Sequence, residues 1–186
     1  MRILICLLFP LFSAAQNYAD VLIRNGKIID GTGNSWFYGD IAVKDGKILA
    51  IGKLTTWKAA KTIDATGLIV APGFIDVHTH IEDDEIRNPF ATNFIYDGVT
   101  TVITGNCGAS NVDLKRYFKY LDSLKLSINV ASLIGHNDVR KEVMGRANRK
   151  PTEVEMRKME AIVEQAMKDG AVGFSTGLIY IPGSYS

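Results

Sequence analysis

Two hydrophobic periods divide the chain. From Asp20 to about Ala65, apolar and polar residues alternate over short runs broken by tight-turn dipeptides, the pattern of half-buried strands. Val21–Arg24 and Lys27–Asp30 flank Asn25-Gly26, and Asp40–Lys44 and Lys47–Ile51 flank Asp45-Gly46. Both dipeptides accept the positive φ angles of a two-residue loop, so each predicts a β-hairpin. With a further strand beginning at Thr62-Ile63-Asp64, residues 16–66 read as a small β domain.

After Leu68 strands begin to alternate with amphipathic helices. Strands are predicted over Leu68–His80, Val99–Cys107, Ile128–Gly135 and Ala171–Thr176. Between them, Leu114, Tyr117, Phe118, Leu121 and Leu124 recur at helical spacing, as do Met159, Ile162, Val163, Ala166 and Met167. Both stripes read as core faces. The later helix has marked ends: Thr152 with Glu155 forms a capping box behind Pro151, and Gly170 stops it. Successive strand and helix signals predict an α/β fold with a parallel sheet over residues 67–186. A barrel and an open doubly wound sheet both fit this alternation.

The first residues stand apart from either pattern. Arg2 precedes an apolar run from Ile3 to Phe12, and Ser13-Ala14-Ala15 supplies the small residues of a cleavage site, so residues 1–15 read as a signal peptide and the mature chain as exported, periplasmic or secreted. The run is too short to span a bilayer. Elsewhere the composition is that of an ordinary globular protein, 47% hydrophobic with 21 basic and 20 acidic residues. A balance so near neutral gives no electrostatic support for nucleic acid or for an acidic membrane surface. Removal of Cys6 with the leader leaves Cys107 as a lone thiol, which excludes an internal disulfide and suggests either a small buried residue or a metal ligand.

The decisive neighbours of that thiol are His78 and His80. Residues two apart on a strand face the same way, roughly 6 to 7 Å apart along the backbone, so the His-Thr-His sequence presents two imidazoles to one ion. Cys107, at the end of the next strand run, is the third candidate ligand. A catalytic metal needs several protein ligands and an open position. Ligands at the C-terminal ends of the first two strands favour the barrel, whose active sites lie there. Gly105-Asn106-Cys107-Gly108 has neither the lysine nor the glycine spacing of a phosphate loop.

The segments VLIRNGKIIDGTG, APGFIDVHTH, DGVTTVITGNCG and DGAVGFSTGLIYIPG together resemble the amidohydrolase superfamily. Within it, the cysteine of GNCG makes the chain similar to the N-acyl-D-amino-acid deacylases, the D-aminoacylases. The likeness runs from about Ala19 to Ser186. It implies the N-terminal part of a (β/α)8 TIM-like barrel, preceded by a small β-sandwich segment, with both left incomplete. It also implies Zn2+ as cofactor, an N-acyl amino acid as small-molecule substrate, and hydrolysis to a carboxylate and a free D-amino acid. By the same resemblance His78 and His80 serve the weaker metal site, Cys107 is the thiolate shared with the tight site, and Tyr180, in Ile179-Tyr180-Ile181-Pro182, lines the acyl pocket.

The family's two later histidines and its aspartate general base have no counterpart, so no catalytic base is assigned within the chain. Residues 67–186 compare with about 250 in a typical barrel. The chain therefore reads as a fragment, inactive alone and prone to aggregate through open edges. Among the remaining candidates, His136 is expected to order a loop with Asp138 and Arg140, Asp76 to orient a neighbour, and Glu82-Asp83-Asp84-Glu85 to form a solvated loop. Two other functions fit: a cyclic-amide hydrolase of the dihydroorotase or hydantoinase type, which Cys107 disfavours, and a non-enzymatic zinc-binding fragment.

Overall fold

A computed structural model describes residues 17–185; the leader read over residues 1–15 lies outside them. The chain forms two compact units that divide between Pro72 and Gly73.

The first unit is one five-stranded sheet. Its strands are β1 (Tyr18–Ile28), β2 (Phe37–Lys44), β3 (Lys47–Gly52), β4 (Lys58–Asp64) and β5 (Ile69–Val70), in the order β3-β2-β1-β4, with β5 also paired to β1. β1 runs antiparallel to β2, and β4 and β5 run parallel to β1. Ala19, Leu22, Ala42 and Leu54 form the buried cluster, with Trp57 packed against it. The Asp45-Gly46 hairpin is present, both residues at positive φ (51° and 71°), joining β2 to β3. Asn25-Gly26 is different. No hairpin forms there; β1 continues through it with a bulge in its pairing to β2, and Asn25 alone takes the left-handed conformation (φ 61°). Tertiary packing decides the outcome: a Cβ on Gly26 would lie 2.6 Å from Val70 Cγ2, and the buried Asp40 carboxylate accepts from Asn25 N and Leu54 N, both at 3.0 Å.

The second unit is mixed α/β. It contains β6 (Phe74–Asp76), α1 (Thr92–Tyr96), β7 (Val99–Thr104), α2 (Leu114–Leu124), β8 (Asn129–Ser132), β9 (Ile134–Gly135), α3 (His136–Met144), α4 (Glu153–Lys168) and β10 (Phe174–Ser175), then a 3-10 turn at Gly183–Tyr185. The pairings β6-β7-β8 and β9-β10 are all parallel. Only Leu133 separates β8 from β9, so the four strand runs read from the sequence lie side by side in chain order.

The run Leu68–His80 is not one strand. Pro72 and Gly73 interrupt it: β5 pairs in the first unit and β6 in the second, and a Cβ on Gly73 would overlap the Thr100 side chain at 2.2 Å. The core of the second unit is Leu114, Tyr117, Leu121, Ile134, Val139, Met159, Ala166 and Ala171, which includes three residues of the α2 stripe. Met167, read as core, is 46% exposed at the end of α4. Phe74, Ile75 and Val77 are also exposed. Among the described residues no helix is long and apolar enough to cross a membrane.

The capping box read at Thr152 is complete. The Thr152 hydroxyl accepts from Glu155 N at 3.3 Å, while the Glu155 carboxylate accepts from Thr152 N at 2.8 Å and pairs with Arg149 at 2.6 Å. Those bonds, Arg149 foremost, hold the Glu155 carboxyl far below the usual carboxylate range. Replacing Thr152 with Ala leaves the first turn of α4 without its cap and is expected to cost about 1 kcal/mol. A lower urea midpoint with an unchanged slope is the result that checks it.

Candidate metal centre

His78 and His80 follow β6, and Cys107 follows β7. The residue between the histidines determines their placement. Thr79 is buried, and both its N–H (3.1 Å) and its hydroxyl (2.9 Å) donate to Ile103 O on β7. With Thr79 turned inward, His78 and His80 both reach the exposed side, their rings 5.6 Å apart at 63°. Asp76 orients the neighbouring backbone as expected, its carboxylate accepting from His78 N at 3.1 Å.

Cys107 sits on a tight turn. Ala109 N donates to Asn106 O at 3.0 Å, and the two central residues, Cys107 and Gly108, both have positive φ (57° and 81°), the type I′ signature. Glycine adopts that conformation freely, but a cysteine there costs about 1–2 kcal/mol. The surroundings hold it. Asn106 Nδ2 donates to Ile103 O (2.9 Å) and Thr79 O (3.3 Å), and the Glu82 carboxylate accepts from Thr104 Oγ1 (2.5 Å) and Gly105 N (2.8 Å). Gly108 O accepts from Asn137 N at 2.8 Å, at the start of α3. The outcome is a Cys107 Sγ 3.4 Å from His78 Nε2.

One ligand atom from each of His78, His80 and Cys107 lies within 4.8 Å of the others. Two ligands at about 2.0–2.3 Å from a shared tetrahedral ion stand about 3.5 Å apart, so the Cys107–His78 pair already has a suitable separation, with a His80 ring nitrogen close by. Two imidazoles and a thiol suit a borderline-soft divalent ion better than Mg2+ or Ca2+. The donor set therefore fits a metal.

A cleft of about 250 Å³ opens beside these donors, lined by His80, Cys107, Asp138, Lys141, Arg146 and Tyr180, among others. Tyr180 stands half exposed at the cleft wall. His136 is elsewhere. It opens α3, with its ring 6.2 Å from that of Phe174. Arg140 is buried and donates to the carbonyls of Ala147, Arg149 and Tyr185, while Asp138 accepts from Ser110 N. The acidic run is only partly a solvated loop. Asp83 and Asp84 are exposed, but Glu85 is buried against Tyr117 Oη at 2.5 Å, and Glu82 supports the Cys107 turn. Burial and Glu85 together raise the Tyr117 phenol far above its ordinary value. Charge-run composition carried no signal for either role, because both partners are distant in sequence.

A family model described as the amidohydrolase family matches residues 61–181. The chain belongs to the amidohydrolase family. A D-aminoacylase of Alcaligenes xylosoxydans xylosoxydans is 37% identical over 88% of this amidohydrolase chain and 38% of its own length. An N-acyl-D-glutamate deacylase from the same organism is 36% identical over 90% and 39%. The chain therefore spans about two fifths of the length of the curated relatives it matches. Among solved structures, the N-acyl-D-glutamate deacylase of Bordetella bronchiseptica, complexed with zinc and a phosphonate inhibitor, superposes with a TM-score of 0.86 at 39% identity, over 91% of this chain and 40% of that one. The L-hydantoinase of Arthrobacter aurescens is further away, with a TM-score of 0.61 and 25% identity over 84% and 32%.

Desolvation, and then the charge of Arg140, lower the His136 pKa in the fold, with a hydrogen bond to Asn137 opposing them. The unfolded chain therefore binds the proton more readily, and stability from this group is fully present above about pH 6.5. It is lost as pH falls through the lowered folded value. The stability difference between wild type and His136→Gln, followed by urea unfolding, is expected to shift against the wild type on acidification from pH 7. A pH-independent difference would contradict this.

Proposed function

We propose that the chain forms the metal-binding front part of a zinc-dependent amidohydrolase that cleaves N-acyl-D-amino acids to a carboxylate and a free D-amino acid. The observation that carries this is the convergence of Cys107 with His78 and His80, a thiol where the fold also offers two imidazoles. The named relatives, D-aminoacylase and N-acyl-D-glutamate deacylase, support the substrate class. In the same proposal residues 67–186 are the first half of a (β/α)8 barrel, residues 16–66 part of a β-sandwich, and residues 1–15 an export signal.

Zinc, when bound, supplies Lewis acidity and makes a hydrolytic nucleophile available at neutral pH. His78 and His80 would hold it as neutral imidazoles, and Cys107 as a thiolate, whose charge offsets that of the ion. Thr79 keeps the imidazoles on one side by its bonds to Ile103 O. The cleft takes the substrate. Tyr180 presents an apolar ring and a hydroxyl to the acyl group, and Lys141 and Arg146 give the wall a positive charge that suits a carboxylate.

The complete gene product, loaded with zinc, is expected to hydrolyse N-acetyl-D-amino acids in preference to their L enantiomers and to leave hydantoin and dihydroorotate intact. Ring opening of the cyclic amides without deacylation would favour the hydantoinase-type reading instead. Zinc bound in stoichiometric amount with no turnover on either class would leave the non-enzymatic reading. In each case Cys107→Ala is expected to lower the zinc content measured by elemental analysis.

A further inference from the structure

We propose that Ser175, which touches neither histidine nor the thiol, is the residue that positions Cys107 for metal. The inference rests on the metal-site reading above and concerns how that site is held. Ser175 closes β10, is buried, and reaches the Cys107 turn across 70 residues of sequence. Its hydroxyl donates to Gly105 O at 2.5 Å and accepts from Gly108 N at 3.0 Å. One hydroxyl thus uses its donor and an acceptor position on the two residues that bracket Asn106 and Cys107.

That closure matters because the turn is intrinsically unfavourable. Gly105, Cys107 and Gly108 all have positive φ, and only the cysteine among them has a Cβ opposing it. Glu82 and Asn106 secure the entry to the turn, and the start of α3 secures Gly108 O. Among the described residues, Ser175 alone binds both ends with one group. The segment after β10 also lies close to the turn: a Cβ on Gly177, two residues past Ser175, would lie 2.0 Å from Cys107 O. Without the hydroxyl, Gly108 N and Gly105 O lose this buried partner, and Cys107 is released to leave the left-handed region and carry its sulfur away from His78.

Ser175 is a positioning residue, and cobalt is the probe that reads it. Co2+ added to the protein is expected to give a thiolate-to-cobalt charge-transfer band with wild type and none with Cys107→Ala. Ser175→Ala is expected to weaken that band and lower Co2+ affinity about 10- to 100-fold, the usual effect of disturbing a ligand's support, with circular dichroism unchanged. The near-isosteric pair Ser175→Thr and Ser175→Val separates the hydroxyl from packing and stands in if the alanine variant does not fold. Thr is expected to retain the band and Val to lose it. Equal bands and affinities in Thr and Val, or a wild-type spectrum in Ser175→Ala, would overturn the role of Ser175 while leaving the metal site standing. A wild-type protein without the charge-transfer band would instead remove the metal-site reading, and this inference with it.

Discussion

The carbonyl oxygen of Ile103 accepts three hydrogen bonds, from Thr79 N, Thr79 Oγ1 and Asn106 Nδ2, at 2.9 to 3.1 Å. Two segments 24 residues apart are joined at that atom. On one side the bonds turn Thr79 inward and leave its flanking histidines outward. On the other they fix Asn106, which opens the turn that carries the thiol. A parallel strand pair alone would bring β6 and β7 into register without determining how the chain leaves them. The shared acceptor makes both exits leave together, and the three donors converge because of it.

The layers of support around the cysteine differ in chemistry. Glu82 offers a carboxylate to Thr104 Oγ1 and Gly105 N, Ser175 a neutral hydroxyl, and α3 the unsatisfied N–H groups of its first turn. Each satisfies backbone groups that a tight turn cannot satisfy itself. A residue in a strained conformation persists only where its surroundings over-determine it, and these supports do so for Cys107.

Much of this was legible in the residues. Strict alternation and the Asp45-Gly46 dipeptide located β2 and β3, the heptad-like stripes located α2 and α4, and the capping box marked the start of α4. His78, His80 and Cys107, whose ligand atoms the structure brings within 4.8 Å, could be singled out by residue type and strand-end position without contacts, whereas Tyr180 was singled out by the family motif it matches. What escaped depended on distant partners. Asn25-Gly26 has hairpin chemistry but packs against Val70 as a bulge. The run from Leu68 looks continuous because hydrophobicity does not register that its two halves join different sheets. Glu82, Glu85 and Ser175 carried no local signal, since a carboxylate in an acidic run and a serine in a strand are usually solvated or incidental.

Asn137 adds a constraint of another kind. Its side chain is buried, its amide donates to Gly177 O, and ideal Cβ atoms on Gly108 and Gly183 would lie 2.7 and 2.2 Å from it. Three backbone segments that line or border the cleft thus meet on one carboxamide with no room for a methyl group. Substitution in this corner of the molecule is limited by volume, and at Gly108 also by a positive φ, so the glycines here matter for the space they leave empty.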